Sequence, residues 1–136
     1  MNMEAFLLCD AATDQQGKLN VLGAFDNIFA KEVPVHHPSC SIVSRIRFNK
    51  IEEGEHLVRL SIIDADGNPI GPKPEGKITV RVSDNIDSTV VNLILNLQGI
   101  EFKQYGRYQI DLMVDSNIQS SLPLQVNCLP NKRSSQ

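Results

Sequence analysis

Three histidines and three cysteines set the limits of the chemistry this 136-residue chain could perform. His36-His37-Pro38-Ser39-Cys40 places three candidate zinc ligands within one short stretch. In an extended chain adjacent side chains diverge, so His36 and His37 cannot converge. His36 and Cys40 would share a face but stand about 13 Å apart, at ~3.3 Å per residue. A zinc ion needs its ligands at about 2.0–2.3 Å. Only a kink at Pro38 could gather these residues, and we read the stretch as a loop entering a strand. A cysteine nucleophile would need a base beside it. Cys9, Cys40 and Cys128 each neighbour apolar strand residues, which suits inert buried thiols, and His56 precedes a different strand. Asp64, Asp66 and Asn68 around Gly67 resemble the start of a calcium loop. The EF-hand glycine falls two positions later, however, and the closing glutamate is missing, so a hairpin turn is the better reading. The chain has no Gly-x-Ser-x-Gly, no His-Glu-x-x-His and no phosphate-cradling glycine loop. The expectation is a protein that is not an enzyme, with no catalytic residues, no metal and no cofactor.

The elements that must position these side chains are strands. Val and Ile total 24 residues against six Ala, a balance that favours extended structure. Turn residues cut the chain into about eight extended segments: Glu4–Ala11, Lys18–Ala30 with Gly23 inside it, Ser39–Asn49, His56–Asp64, Lys77–Ser83, Thr89–Gln98, Arg107–Asp115 and Ile118–Asn127. Alternation is clean in several of them. Ile78, Val80 and Val82 face one way against Lys77, Thr79, Arg81 and Ser83, and Val91, Leu93, Leu95 and Leu97 oppose Asn92, Asn96 and Gln98. Asp14–Gly17, Glu52–Gly54 and Asp64–Pro69 read as turns, and Gly71–Gly76 reads as a loop. Helical spacing fits only Gly99–Tyr105, as a single turn. This pattern predicts an all-β, antiparallel two-sheet Greek-key sandwich. Residues 1–128 form one domain in this reading, and 129–136 a polar tail.

Leu95-x-Leu97-x-x-Ile100-x-Phe102-x-x-Tyr105-Gly106-Arg107-Tyr108-Gln109-Ile110-x-Leu112 resembles the corner between two strands of immunoglobulin-like domains. The resemblance implies that Tyr108, with Gly106 just before it, is the tyrosine-corner residue. Ile110 stands where antibody domains carry their second cysteine, and the chain has no Trp. Glu4–Asp10, Gly23-Ala24-Phe25-Asp26, Pro34–Pro38 and Leu122-Pro123-Leu124 are similar to a family of short bacterial proteins described only as a domain of unknown function. That resemblance implies a cytosolic sandwich and supplies no activity, cofactor or catalytic residue.

Charge and cysteine usage bound the partners. The net charge is −3, from 13 basic and 16 acidic residues, so no basic excess exists to displace phosphate counterions, and nucleic acid is not expected. The N-terminal apolar run stops at Asp10, and no window approaches the ~20 apolar residues of a membrane span. An odd number of widely spaced cysteines does not suit a secreted disulfide framework. A cytoplasmic location without membrane attachment is the expectation. Arg45, Arg47, Arg59 and Arg81 fall on outward positions. They would form a basic stripe if the third, fourth and fifth segments were neighbours; a solvated sheet face is the plainer reading. The fourth segment carries apolar residues on both faces, which leaves Leu57 and Ile63 for the surface beside Val43. With Arg45, Arg47 and Arg59 as rim, these residues form the predicted interface, and a homodimer through it is one expectation. The functional reading is a non-catalytic protein-interaction or structural module with an unidentified protein partner. A small-ligand or carbohydrate-binding sandwich is the alternative.

Overall fold

Ten strands carry the chain in the computed structural model, which describes residues 1–130. They are β1 (Asn2–Gln15), β2 (Lys18–Ala24), β3 (Asn27–Ala30), β4 (Val35–Asn49), β5 (Gly54–Asp64), β6 (Pro69–Ile70), β7 (Glu75–Val80), β8 (Ser88–Phe102), β9 (Gly106–Val114) and β10 (Asn117–Cys128). Sheet A has the order β2-β1-β4-β8. Sheet B has the order β3-β10-β9-β5-β6, with β7 also paired to β5. Phe48, Phe102, Ile46, Ile110, Val114 and Val126 are among the fully buried side chains between the sheets. Of the expected polar tail, residues 131–136 lie outside the described residues.

The architecture is an all-β, two-sheet sandwich, with two differences from the sequence reading. The described residues form ten strands rather than eight, and one pair is parallel, β3 with β10 from Asn27 opposite Gln125 to Ala30 opposite Cys128. The parallel pair and one added strand follow from the segment Lys18–Ala30, which is two strands; the other added strand is β6, Pro69–Ile70, at the end of the expected turn. Gly23 takes φ +69°, and the chain leaves sheet A there to enter sheet B at Asn27. Two short segments also changed identity. Gly99–Tyr105 is not a helical turn, because β8 runs on to Phe102, whereas Lys50–Glu52 is a 3-10 turn. There the Asn49 backbone N–H donates to Glu52 Oε1 at 2.8 Å, half of a capping box written in the Asn-x-x-Glu spacing.

β4 and β8 form the longest ladder, in unbroken register from Val35 opposite Phe102 to Asn49 opposite Ser88. β1 pairs with β4 only as far as Cys9 and then continues with β2 as a hairpin. The hairpin tip reaches back across the outer face of sheet A. Asn92, on β8, donates to the Gly17 carbonyl at 3.1 Å and to Asp14 Oδ2 at 3.2 Å, and Arg45 Nη1 donates to the same carbonyl at 3.3 Å. Since β4 lies between β1 and β8, these contacts require the hairpin to cross over β4. That explains why Cys9 and Val43 are each 0% exposed although both point away from the core.

Candidate interaction edge

The predicted interface residues are not brought together. Val43, Arg45 and Arg47 lie on the outer face of sheet A, whereas Leu57, Arg59 and Ile63 lie on the outer face of sheet B. The reason is topological. β4 pairs with β1 and β8, and β5 pairs with β9, β6 and β7, so the two strands face each other across the core instead of sharing a ladder. Val43 is further covered by the β1–β2 hairpin. The basic stripe dissolves for the same reason. A bulge between Met3 and Ala5 turns the Glu4 carboxylate to Arg45 Nε at 3.0 Å and Arg47 Nε at 2.6 Å. Arg47, then burial against it, then Arg45 act on Glu4, with the net result below the usual carboxylate range. Arg59 pairs with Glu75 on β7 at 2.8 Å.

The side chains that invited chemistry are dispersed. Pro38 stands opposite Gly99 (φ +63°), where the face alternation slips. His37 therefore turns inward with Cys40 and lies against the Phe25 ring at 5.4 Å, while His36 turns out to Glu101 at 3.1 Å. This reverses the expectation that His36 shares a face with Cys40. Burial pushes the Cys9 and Cys40 thiols up, and Cys128 is exposed rather than buried. Asp64 Oδ1 accepts the Asp66 and Asn68 backbone N–H groups at 3.0 and 2.9 Å, so its carboxylate closes the β5–β6 turn. His56 sits on the Phe48 ring at 5.0 Å. Its Nδ1 is 2.6 Å from Asp115 Oδ2 and its Nε2 is 2.6 Å from the Glu52 carbonyl. Only the imidazolium can donate to both. The Glu52 carbonyl, and with it Asp115, holds His56 above the ordinary imidazole range against the opposing effect of burial. These contacts tie β5, the 3-10 turn and the β9–β10 turn together, which is structural work.

Tyr108 is 6% exposed, donates its hydroxyl to the Gln104 carbonyl at 2.8 Å, and meets Phe102 edge-on at 5.0 Å. Gly106 takes φ +128° at the corner, where a side chain would be strained. This is tyrosine-corner geometry, and it fixes where β8 ends and β9 begins.

The feature with docking chemistry is β8 itself, one edge of sheet A. In the seven-strand immunoglobulin layout another strand lies outside this position. Here β6 and β7 pair with β5 of the other sheet instead. A bare edge presents unpaired N–H and C=O groups, and folded proteins guard such edges with Lys, Pro, bends or shortness. β2 begins with Lys18 and is folded back, β3 has four residues, β6 has two, and β7 follows Pro72 and Pro74 and carries Lys77. From Thr89 to Gln98, β8 has no charged residue, Pro or Gly. Its inward residues Leu93 and Leu95 line a cleft of about 200 Å³ between the sheets, with Phe6, Val58, Leu60 and Ile78. Glu75 and Lys77 stand at its β7 rim. The alternation of this run is legible in the sequence; which strand is left at an edge is not.

Comparison with known proteins adds fold and family. No curated protein matches the sequence. Among solved structures, the chain is similar to the alkylpurine DNA glycosylase AlkC of Pseudomonas fluorescens, bound to DNA containing an abasic site analog, with TM-score 0.53 and 7% identity. The match covers 93% of this chain and 30% of that one, so the chain spans less than a third of the glycosylase. A Listeria innocua beta-glucosidase in complex with isofagomine gives TM-score 0.47 at 10% identity, over 93% of this chain and 17% of that one. An immunoglobulin-like protein from Pseudomonas aeruginosa gives TM-score 0.32 at 10% identity, over 93% and 95%. At 7% identity the glycosylase likeness is one of fold alone. Among the described residues no helix is long and apolar enough to cross a membrane. The family match covers residues 4–127, and the chain belongs to DUF6941, a family of unknown function.

Proposed function

We propose that this protein is a non-catalytic protein-interaction module that docks its partner along the open side of the sandwich. One observation carries the reading: β8 is an unguarded edge strand lying directly over an apolar cleft. Main-chain groups along such an edge supply affinity for another extended chain, and the cleft beside it supplies selectivity through side chains. The small-ligand alternative has less support. A hollow on the outer face of sheet B is lined by Asn27, Arg107, Gln109 and Gln125, but Tyr108, the aromatic residue beside it, has its ring committed to the core.

A photo-crosslinking residue placed at Asn96, which points outward on β8, tests the proposal in the producing cell. The same probe at Ile118, 59% exposed at the start of β10, is the control. The expected result is a discrete polypeptide adduct at position 96, with its attachment point in an extended segment, and none at 118. Equal labelling at both positions, or no adduct at 96, overturns the assignment.

A further inference from the structure

Resting on that reading, we infer that the occupant of the β8 edge is an extended segment from a different polypeptide. It presents two aliphatic side chains at positions i and i+2, with an acidic residue beside them. The segment completes sheet A as its fifth strand, outside β8.

The spacing follows from β8. Leu93 and Leu95 both face the cleft, two residues apart on one strand. A strand added alongside keeps the same two-residue period, so alternate side chains of the incoming segment enter the cleft and the others point away. The volume sets their number. An apolar cavity of about 150 Å³ accepts a benzene molecule; a cleft of about 200 Å³ accepts two small aliphatic groups. Charge selects the flank. Thr89–Gln98 contributes no charge. Glu75 is already bonded to Arg59 at 2.8 Å. Lys77, on the same rim, is paired with Leu57 on its outer side and makes no ion pair among the described residues, so an unopposed cation stands at the entrance rather than inside the cleft.

A second copy of this chain fits less well. β8 against β8 would pair ten residues, Thr89–Gln98, over about 34 Å at ~3.4 Å per residue. With a contact height of about 10 Å, the area is roughly 340 Å² per partner, against about 800 Å² for a standard stable interface. In that arrangement the second copy's Leu93 and Leu95 stay against its own core, and neither cleft is filled.

The test uses the intact protein and three labelled nine-residue peptides, read by fluorescence anisotropy. The first has two Val at i and i+2 in a Thr/Ser background with one flanking Asp. The second has the same composition with the two Val adjacent, which sends them to opposite faces. The third is the first with alternate amides N-methylated, which removes the main-chain donors of one edge. The expected result is at least tenfold tighter binding of the first peptide than of either other. Lys77→Ala, an exposed change outside the core, is expected to weaken the first peptide's binding about threefold and to lower its salt dependence. Equal binding of the three peptides, or binding of none, overturns the inference. If the Asn96 crosslink still maps to an extended segment of another protein in that case, the interaction-module reading stands without it. A dimer in light scattering whose Asn96 adduct lies in the second copy's β8 makes the second copy the occupant and overturns the inference as well.

Discussion

His56 offers the sharpest test of how this sandwich is held together. His56→Phe keeps an aromatic ring over Phe48 and removes both polar contacts, to Asp115 Oδ2 and to the Glu52 carbonyl. Hydrogen bonds to charged groups contribute about 1.5–3 kcal/mol net, and this side chain is only 12% exposed. A loss of about 2.5 kcal/mol is therefore expected while the imidazole is protonated, combining a charged and a neutral acceptor. With an unfolding entropy of ~2.1 cal/mol/K per residue over 136 residues, the melting temperature should fall by about 9 °C. The folded-state pKa of His56 is raised, so its contribution is complete below the unfolded value of about 6.5 and is lost as pH rises through the folded value. The neutral ring donates once, leaving one acceptor unmet, and about 1 kcal/mol remains. The gap between wild type and variant, measured by calorimetry, should thus shrink to about 4 °C by pH 9. Asp115 does not disturb this comparison. Its pKa is lowered by His56 and by the Leu57 N–H, so its contribution is complete above about pH 3.9 and fades only as pH falls through the folded value. An equal gap at pH 6 and pH 9, or a wider gap at pH 9, would refute the reasoning.

Tyr108→Phe removes the hydroxyl bond to Gln104 and keeps the edge contact with Phe102; the expected loss is about 1–2 kcal/mol, seen as a lower urea midpoint at unchanged slope. An unmoved midpoint would remove the tyrosine corner as a stabilising element. Val43→Ala is expected to cost about 2 kcal/mol, from roughly two buried methylene equivalents and the cavity left behind. A cost near zero in the same titration would show that the β1–β2 hairpin does not cover that position.

Strand identity was legible because alternation is local. Ile78-x-Val80-x-Val82 and Val91-x-Leu93-x-Leu95-x-Leu97 can be read without knowing any neighbour. Pairing was not legible, because β4 meets β8 across some 39 to 67 residues of sequence, from Asn49 opposite Ser88 to Val35 opposite Phe102. The predicted patch joined Val43 to Leu57 on adjacency in the chain, and the fold placed them on opposite outer faces. A Cβ at Gly23 would stand 2.5 Å from Asp10 Oδ2, so glycine inside an apolar run was a readable sign of a close approach or a bulge. That the chain enters the other sheet at Asn27, four residues later, was not written locally. The Asn49-x-x-Glu52 spacing was a readable sign of a capped turn. The candidate edge was half legible: Thr89–Gln98 lacks every edge guard, yet only the pairing of β6 and β7 with β5 leaves it bare.

The place of β10 between β3 and β9 has a consequence for the order of events during synthesis. All four strands of sheet A have been made once Phe102 leaves the ribosome, but sheet B cannot close until Cys128, 26 residues later (128 − 102), has followed. At ~5–20 residues per second that interval lasts about 1–5 s. Throughout it, Ile42, Ile46, Phe48 and Leu97 have only part of their covering sheet, and the uncharged run of β8 is already exposed. The nascent chain is thus most open to chaperones, and to pairing with a neighbouring nascent copy on the same message, during the making of its last two strands.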